Sequence, residues 1–468
     1  MRCPPRLGSY LERSVVALLL VLLTTACAPR IWNEPLGVTA TTPAYSMVQK
    51  LPQKNSRKIF TILAFSGGGM RSAAFSYGTL KALKETEVVI KGQTRSLLGE
   101  VDVITAVSGG SYTAAYYGLF GERIFLDYEE KFLRRNIENR FLLSLADPAN
   151  LSGILSEDFN RSDVSALWLS ENLFSEKTFS DMSAGELPFV IINASDINNG
   201  LPFPFVQQQF DFICSDINTF PVSNAVMASS AVPALFAPIT LKSFSQECRA
   251  PHRDWIDRAL SQGAGAENYD VARKLTRYVD GRPMPFLRLL DGGITDNLGL
   301  RGSIMSPVTH YGDVVAMAGA FTKEDLDEVT DVLVLVANAQ IYPDYEWSKE
   351  GSDPGIYSML MSSFDAALDL LNTETIQQAK RRFDKWGDLV NRRRGPRQAK
   401  VRVHFVDLTF DGIEDKKDRE YFNTIPTALA IEPQALERVI ELPKQLLNDS
   451  FDFQRFVYMV NEGIGRLE

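Results

Sequence analysis

The chain has 468 residues and a formal net charge of −9, with 45% hydrophobic and 10% aromatic residues. This is a globular composition, without repeats or low-complexity tracts, and long enough for one large domain or two ordinary ones. The acidic balance argues against a nucleic-acid partner, which needs a basic face.

Residues 1–26 read as a signal peptide. Arg2, Arg6 and Arg13 precede the apolar run "VVALLLVLL" (15–23), and "TTAC" closes it with small residues. A basic start, a short apolar run and a small-residue exit suit a cleaved signal, and the run is too short to span a bilayer. The exit resembles a bacterial lipoprotein signal, in which the cysteine after the cleavage site is lipidated; here that residue is Cys27. Thr24, three positions earlier, departs from the usual Leu, and ordinary cleavage with Cys27 as a bystander is the alternative. The expected location is export followed by anchoring to a membrane, at the outer membrane or facing the periplasm. Cys214 and Cys248 either pair, as export permits, or pack as small buried thiols. No Cys/His cluster suggests a metal.

Residues 27–57, rich in Pro, Thr and Ala, read as a tether. A strand signal follows at "IFTILAFS" (59–66), then "GGG" and a helical stretch over 70–85. The pattern returns at "VDVITAVS" (101–108), followed by "GG" and "SYTAAYYGLFG". Further buried-strand candidates are "PFVIINAS" (188–195), "FLRLLD" (286–291), "DVLVLVANA" (331–339) and "VRVHFVDL" (401–408). Short apolar runs alternating with helical segments predict an α/β fold whose mostly parallel sheet is covered on both faces. No linker interrupts 58–468, which reads as one domain with insertions.

Two insertions stand out. Within 122–185, Phe125, Tyr128, Phe132 and Leu133 recur at helical spacing, as a core-facing stripe or as a lid or lipid-contact surface. Residues 374–400 hold "KRR" and "RRRGPR", a solvated charge run or a head-group contact.

The segment "TAVSGGSYTAAYYG" (105–118) offers two serines. A nucleophilic serine on a strand–turn–helix elbow needs small residues two before and two after it. Ser108 has Ala106 and Gly110 there, whereas Ser111 has Gly109 and the β-branched Thr113. Ser108 also ends the strand, where ligands of α/β sheets bind, and Ser111 falls in the first helical turn. Ser108 is therefore the candidate nucleophile.

Its oxyanion needs donors, and "FSGGGMRS" (65–72) supplies glycine amides between a strand and a helix N-terminus. This loop lacks the Lys-Ser/Thr of a phosphate-binding P-loop and the third glycine of a dinucleotide fingerprint. Arg71 follows it and either contacts a substrate phosphate or forms a surface salt bridge. For the base, none of His252, His310 and His404 lies in a glycine-rich turn. Asp291 does, at the end of an apolar strand before Gly292 and Gly293. A carboxylate there can accept the serine proton from a neighbouring loop.

Together, "SGGGMRSAAFSYGTL", "AVSGGS" and "DGG" resemble, in order and spacing, the three motifs of patatin-like phospholipases. "ASSAVPALFAPI" (228–239) resembles the family block before the aspartate. The resemblance covers roughly 58–300 and implies a three-layer fold and a Ser–Asp dyad without histidine. By that resemblance Ser108 is the nucleophile, Asp291 the base, and Gly67, Gly68 and Gly69 shape the oxyanion hole. It implies a hydrolase of lipid esters, lipase or phospholipase A in type, that needs no metal or cofactor. Its partners would be a lipid substrate and, through the anchor, a membrane surface. The rival readings are a non-catalytic lipoprotein module on the same fold, and a Ser-Asp-His esterase or acyltransferase.

Overall fold

The computed structural model describes residues 30–463 apart from 38–44, 47–54, 149, 151–159, 184–186, 234, 249–252, 267, 281–283, 306–327, 343, 344, 346, 348, 350, 352 and 397. The signal segment, Cys27, His252 and His310 lie outside the described residues.

The strands, in chain order, are β1 (Glu34–Pro35), β2 (Ile59–Phe65), β3 (Glu87–Ile90), β4 (Gln93–Ser96), β5 (Val101–Val107) and β6 (Phe189–Asp196). They continue with β7 (Leu201–Pro204), β8 (Ser215–Asp216), β9 (Ile239–Lys242), β10 (Phe286–Leu290), β11 (Asp331–Ala337) and β12 (Arg402–Leu408). Every residue of β2, β5, β6 and β11 is buried, because each strand is covered on both faces. This is why these segments read as unbroken apolar runs rather than as alternating ones.

Among the described residues these strands build an eight-stranded sheet in the order β12-β11-β2-β5-β6-β10-β9, with β7 also on β6. β12, β11, β2, β5 and β6 run parallel, in registers such as Asp331↔Ile59 and Ala106↔Ile192. β10 runs against them, with Leu290 opposite Ser195. The expected parallel core is present, and its aspartate-bearing strand is the reversed one. Helices Gly69–Glu85 and Gly109–Phe120 pack together beside the sheet, and Pro433–Asp449 lies across the first of them. Gly78 allows that approach, since a Cβ there would strike the Ile440 carbonyl.

The described part of the expected tether is fastened to the domain. β1 pairs with β8, Asn33 bonds Ser215 and the Lys242 carbonyl, and Trp32 donates to Asp163 at 2.9 Å. Tyr45 is buried, donates to the Val190 carbonyl at 2.8 Å and accepts that residue's N–H at 3.0 Å. In the first insertion, Tyr128, Phe132 and Leu133 are buried on helix Ile124–Leu133, with Phe132 stacked on Tyr112 at 4.8 Å. That stripe faces the core. The basic run closes helix Ile356–Arg393 and the loop after it, where Lys380, Arg381, Arg392 and Arg393 are exposed. Cys214 and Cys248 form a disulfide, their Cα atoms 6.1 Å apart. No helix among the described residues is long and apolar enough to cross a membrane.

Candidate active site

Ser108 sits between β5 and helix Gly109–Phe120 with φ 47° and ψ −121°. A side chain rarely adopts this backbone, which costs on the order of 1–3 kcal/mol and persists only where the surroundings enforce it. The enforcement is steric. A Cβ on Gly109 would collide with the Gly69 carbonyl, and one on Gly110 with Phe65 and the Ser66 carbonyl. The elbow and the glycine loop thus meet backbone to backbone. Ser111 is fully buried and turns its hydroxyl onto the Ser108 carbonyl at 2.6 Å, within the first helical turn.

Asp291 is brought beside Ser108 by the reversed strand β10. Its N–H donates to the Ala231 carbonyl at 3.0 Å, and Gly292 N–H donates to Ser229 O at 3.1 Å. A Cβ on Gly292 would strike the Asn193 carbonyl, so the turn tolerates only glycine against β6. Asp291 is 5% exposed, and burial pushes its pKa up to about 6. The Gly293 N–H, which donates to the carboxylate at 2.8 Å, and the Ser108 hydroxyl both oppose that rise. A carboxylate held near 6 is ionised at neutral pH yet basic enough to accept a serine proton.

The glycine loop is specialised residue by residue. Gly67 donates its N–H to the Asn297 carbonyl at 3.0 Å, and a Cβ there would strike the Asn297 amide oxygen. Its own amide is therefore spent on positioning. Gly68 and Gly69, at φ 139° and 61°, open helix Gly69–Glu85, where amides lack an intrahelical acceptor. Gly109, next to Ser108, packs against the Gly69 backbone.

Arg71 is corrected from phosphate contact, or surface ion pair, to buried strut. It is 2% exposed; Nε donates to Ala339 O at 2.8 Å, one terminal nitrogen to Ile425 O, and the other to Thr427 Oγ1 at 3.0 Å. Burial lowers its pKa to about 10, an effect that the charge of Asp365 opposes. The guanidinium clamps the back of the glycine loop to distant chain.

His404 lies in β12, its Nε2 3.0 Å from Asp331 Oδ1 and its ring 5.1 Å from that of Phe456. Arg402 shares that carboxylate at 2.8 and 2.9 Å. β12 is three strands from β5, and His404 is level with Leu333 and Thr61, near the start of β5. Strand spacing and rise put it roughly 25 Å from Ser108.

Sequence reading missed three supporting side chains. Ser229 accepts the Ser108 N–H at 2.8 Å and donates to the Asn193 carbonyl at 2.6 Å. Asn193 donates to Thr105 Oγ1 at 2.8 Å, and Asn297 braces Gly67. The signal was present: all three are polar residues within apolar runs or immediately after the Asp-Gly-Gly turn.

No functionally curated protein matches the sequence. Among solved structures, human GIVD cytosolic phospholipase A2 is similar at TM-score 0.41 and 12% identity, over 89% of this chain. This chain spans 64% of the length of that protein. VipD from Legionella pneumophila is similar at TM-score 0.28 and 12% identity, over 92% of this chain and 72% of that one. Both scores fall below one half and carry no argument here. The sequence model of one family, patatin-like phospholipase, matches residues 63–304, more than half of the chain and the whole stretch from the glycine loop to the Asp291 turn. The chain belongs to the patatin-like phospholipase family.

Proposed function

We propose that this protein is a serine acyl hydrolase of lipid esters acting through a Ser108–Asp291 dyad. Family membership implies a lipid hydrolase. The observation that carries the finer reading is Ser108 in its strained elbow, packed through Gly109 against the Gly69 backbone, with a buried Asp291 carboxyl whose pKa its hydroxyl lowers. Ser108 Oγ attacks the ester carbonyl carbon as its proton passes to Asp291. The carbonyl oxygen becomes an oxyanion held by the amides of Gly68, Gly69 and Gly109. The tetrahedral adduct collapses, and the alcohol departs with the proton from Asp291. Water then gives a proton to Asp291 and attacks the acyl-serine; as the acyl–Oγ bond breaks, Asp291 returns that proton to Ser108, releasing the acid and restoring the enzyme.

The same reading places the enzyme outside the cytosol, anchored through Cys27. The signal grammar of 1–27 supports this, and the Cys214–Cys248 disulfide suits an oxidising compartment. A fluorophosphonate probe tests the activated serine: labelling of the wild type and its loss in Ser108→Ala are expected. A folded wild type that resists the probe and hydrolyses no ester in a lipid panel would make the chain a non-catalytic module.

A further inference from the structure

We propose that the face formed by helix Ile137–Leu145 and the loop at 235–236 rests on the lipid bilayer, beside the active site. The proposal builds on the lipid-hydrolase and Cys27-anchor readings above. Leu142, Leu143 and Leu235 are 58%, 64% and 56% exposed. They flank residues that meet. Phe141, buried next to Leu142, packs edge-on against Trp168 at 5.6 Å and against Phe236 at 6.2 Å. Exposed Arg140 lies on the same helix, one turn before Leu143, and can meet anionic head groups, with Glu138 the helix's one acidic residue.

Where the chain leaves the described fold identifies the partner. Trp32 is pinned to Asp163 on helix Arg161–Leu169, which carries Trp168 and packs on Ile137–Leu145. Ser162 of that helix donates to the Ala237 carbonyl at 2.6 Å, in the loop of Leu235. The Arg30 guanidinium lies 4.0 Å over the Trp32 ring. Cys27 is three residues upstream, a backbone reach of at most about 11 Å, so an anchor there would hold the bilayer close to Arg30. An anchor this short brings the membrane to this side of the domain, where the three leucines present apolar surface. The same loop begins at Ala231, whose carbonyl holds the Asp291 N–H. Substrate leaving the bilayer here would meet the catalytic turn first.

Two measurements on the full-length lipidated protein in phosphatidylcholine/phosphatidylglycerol vesicles test this face. In Leu143→Cys, labelled with an environment-sensitive fluorophore, vesicle lipids carrying a shallow spin label should quench the probe. The same label at Tyr458→Cys should not respond; that residue is on helix Phe451–Glu462, which packs against β12 and β3. In the triple variant L142E/L143E/L235E, turnover of vesicle lipid should fall at least about tenfold while turnover of a monomeric short-chain ester stays within about twofold. An unquenched probe at position 143, or a probe already buried without vesicles because a second copy covers it, overturns the proposal. So does full vesicle-lipid turnover in the triple variant. If that variant loses both activities, the quenching decides alone. If the wild type hydrolyses neither substrate, the proposed chemistry falls, while quenching still decides where the bilayer lies.

Discussion

The Ser229 hydroxyl accepts the Ser108 N–H at 2.8 Å and donates to the Asn193 carbonyl at 2.6 Å, so one side chain stitches the elbow to the adjacent strand. Its own carbonyl accepts from Gly292, next to Asp291. Ser229→Ala leaves a buried donor and a buried acceptor unpaired, at about 1–3 kcal/mol each. We expect a lower melting temperature and a fall in kcat of about 10–100-fold on a soluble ester, with KM little changed, because positioning rather than binding is lost. Steady-state kinetics on the folded variant check this.

Ser108 holds a backbone that glycine adopts without strain. Ser108→Gly should therefore abolish hydrolysis while stabilising the fold by on the order of 1 kcal/mol. Ser108→Ala should be equally inactive without that gain, and Ser111→Ala should keep most of the activity. Denaturant melts alongside ester turnover read both effects, and near-wild-type turnover in Ser108→Ala would remove the nucleophile assignment.

With Asp291 pushed up to about 6, kcat/KM should climb as pH rises through 6 and level off above it, since only the ionised carboxylate accepts the serine proton. The stability linkage has the opposite sign. The folded carboxyl binds its proton more tightly than the unfolded one, at about 3.9, so stability present at low pH declines as pH rises from about 4 to 6. Asp291→Asn should accordingly be inactive yet more stable than wild type at pH 8, by on the order of 2 kcal/mol. A pH–rate profile and melts at pH 4 and 8 test both signs.

His404→Gln removes one partner of Asp331 and should lower stability while leaving turnover per folded molecule nearly intact. Circular dichroism followed by active-site titration separates the two. A loss as complete as in Asp291→Asn would replace the dyad with a histidine triad.

Mass spectrometry of the mature protein should find acyl chains on an N-terminal Cys27. An unmodified chain that begins elsewhere would end the anchor assignment and, with it, the placement of the bilayer near Arg30.

The buried parallel strands were legible because burial on both faces writes itself as uninterrupted apolar runs. Helix Gly69–Glu85 and the elbow followed from the glycines between strand and helix. The reversed direction of β10 was not legible, since periodicity carries no sense of chain direction. Nor was the strut role of Arg71: its acceptors, at Ala339, Ile425 and Thr427, are brought to it only by tertiary folding. The attachments of the described part of the 27–57 segment were not legible, because its composition is that of a linker. Among its described residues, these attachments depend on a few side chains, such as Trp32, Asn33 and Tyr45, that find partners far along the chain.

The Arg71 strut bears on how the protein can be divided. The family match ends at residue 304, yet the glycine loop is held from behind by residues 339, 425 and 427, and Met70 N–H bonds the Ala428 carbonyl at 2.8 Å. β11, the neighbour of β2, also comes from beyond that boundary. A fragment cut at the end of the match would expose one flank of β2 and release the loop we propose receives the oxyanion. Recombinant versions, directed-evolution libraries and domain fusions should therefore keep the chain whole through helix Phe451–Glu462 and be joined only outside it.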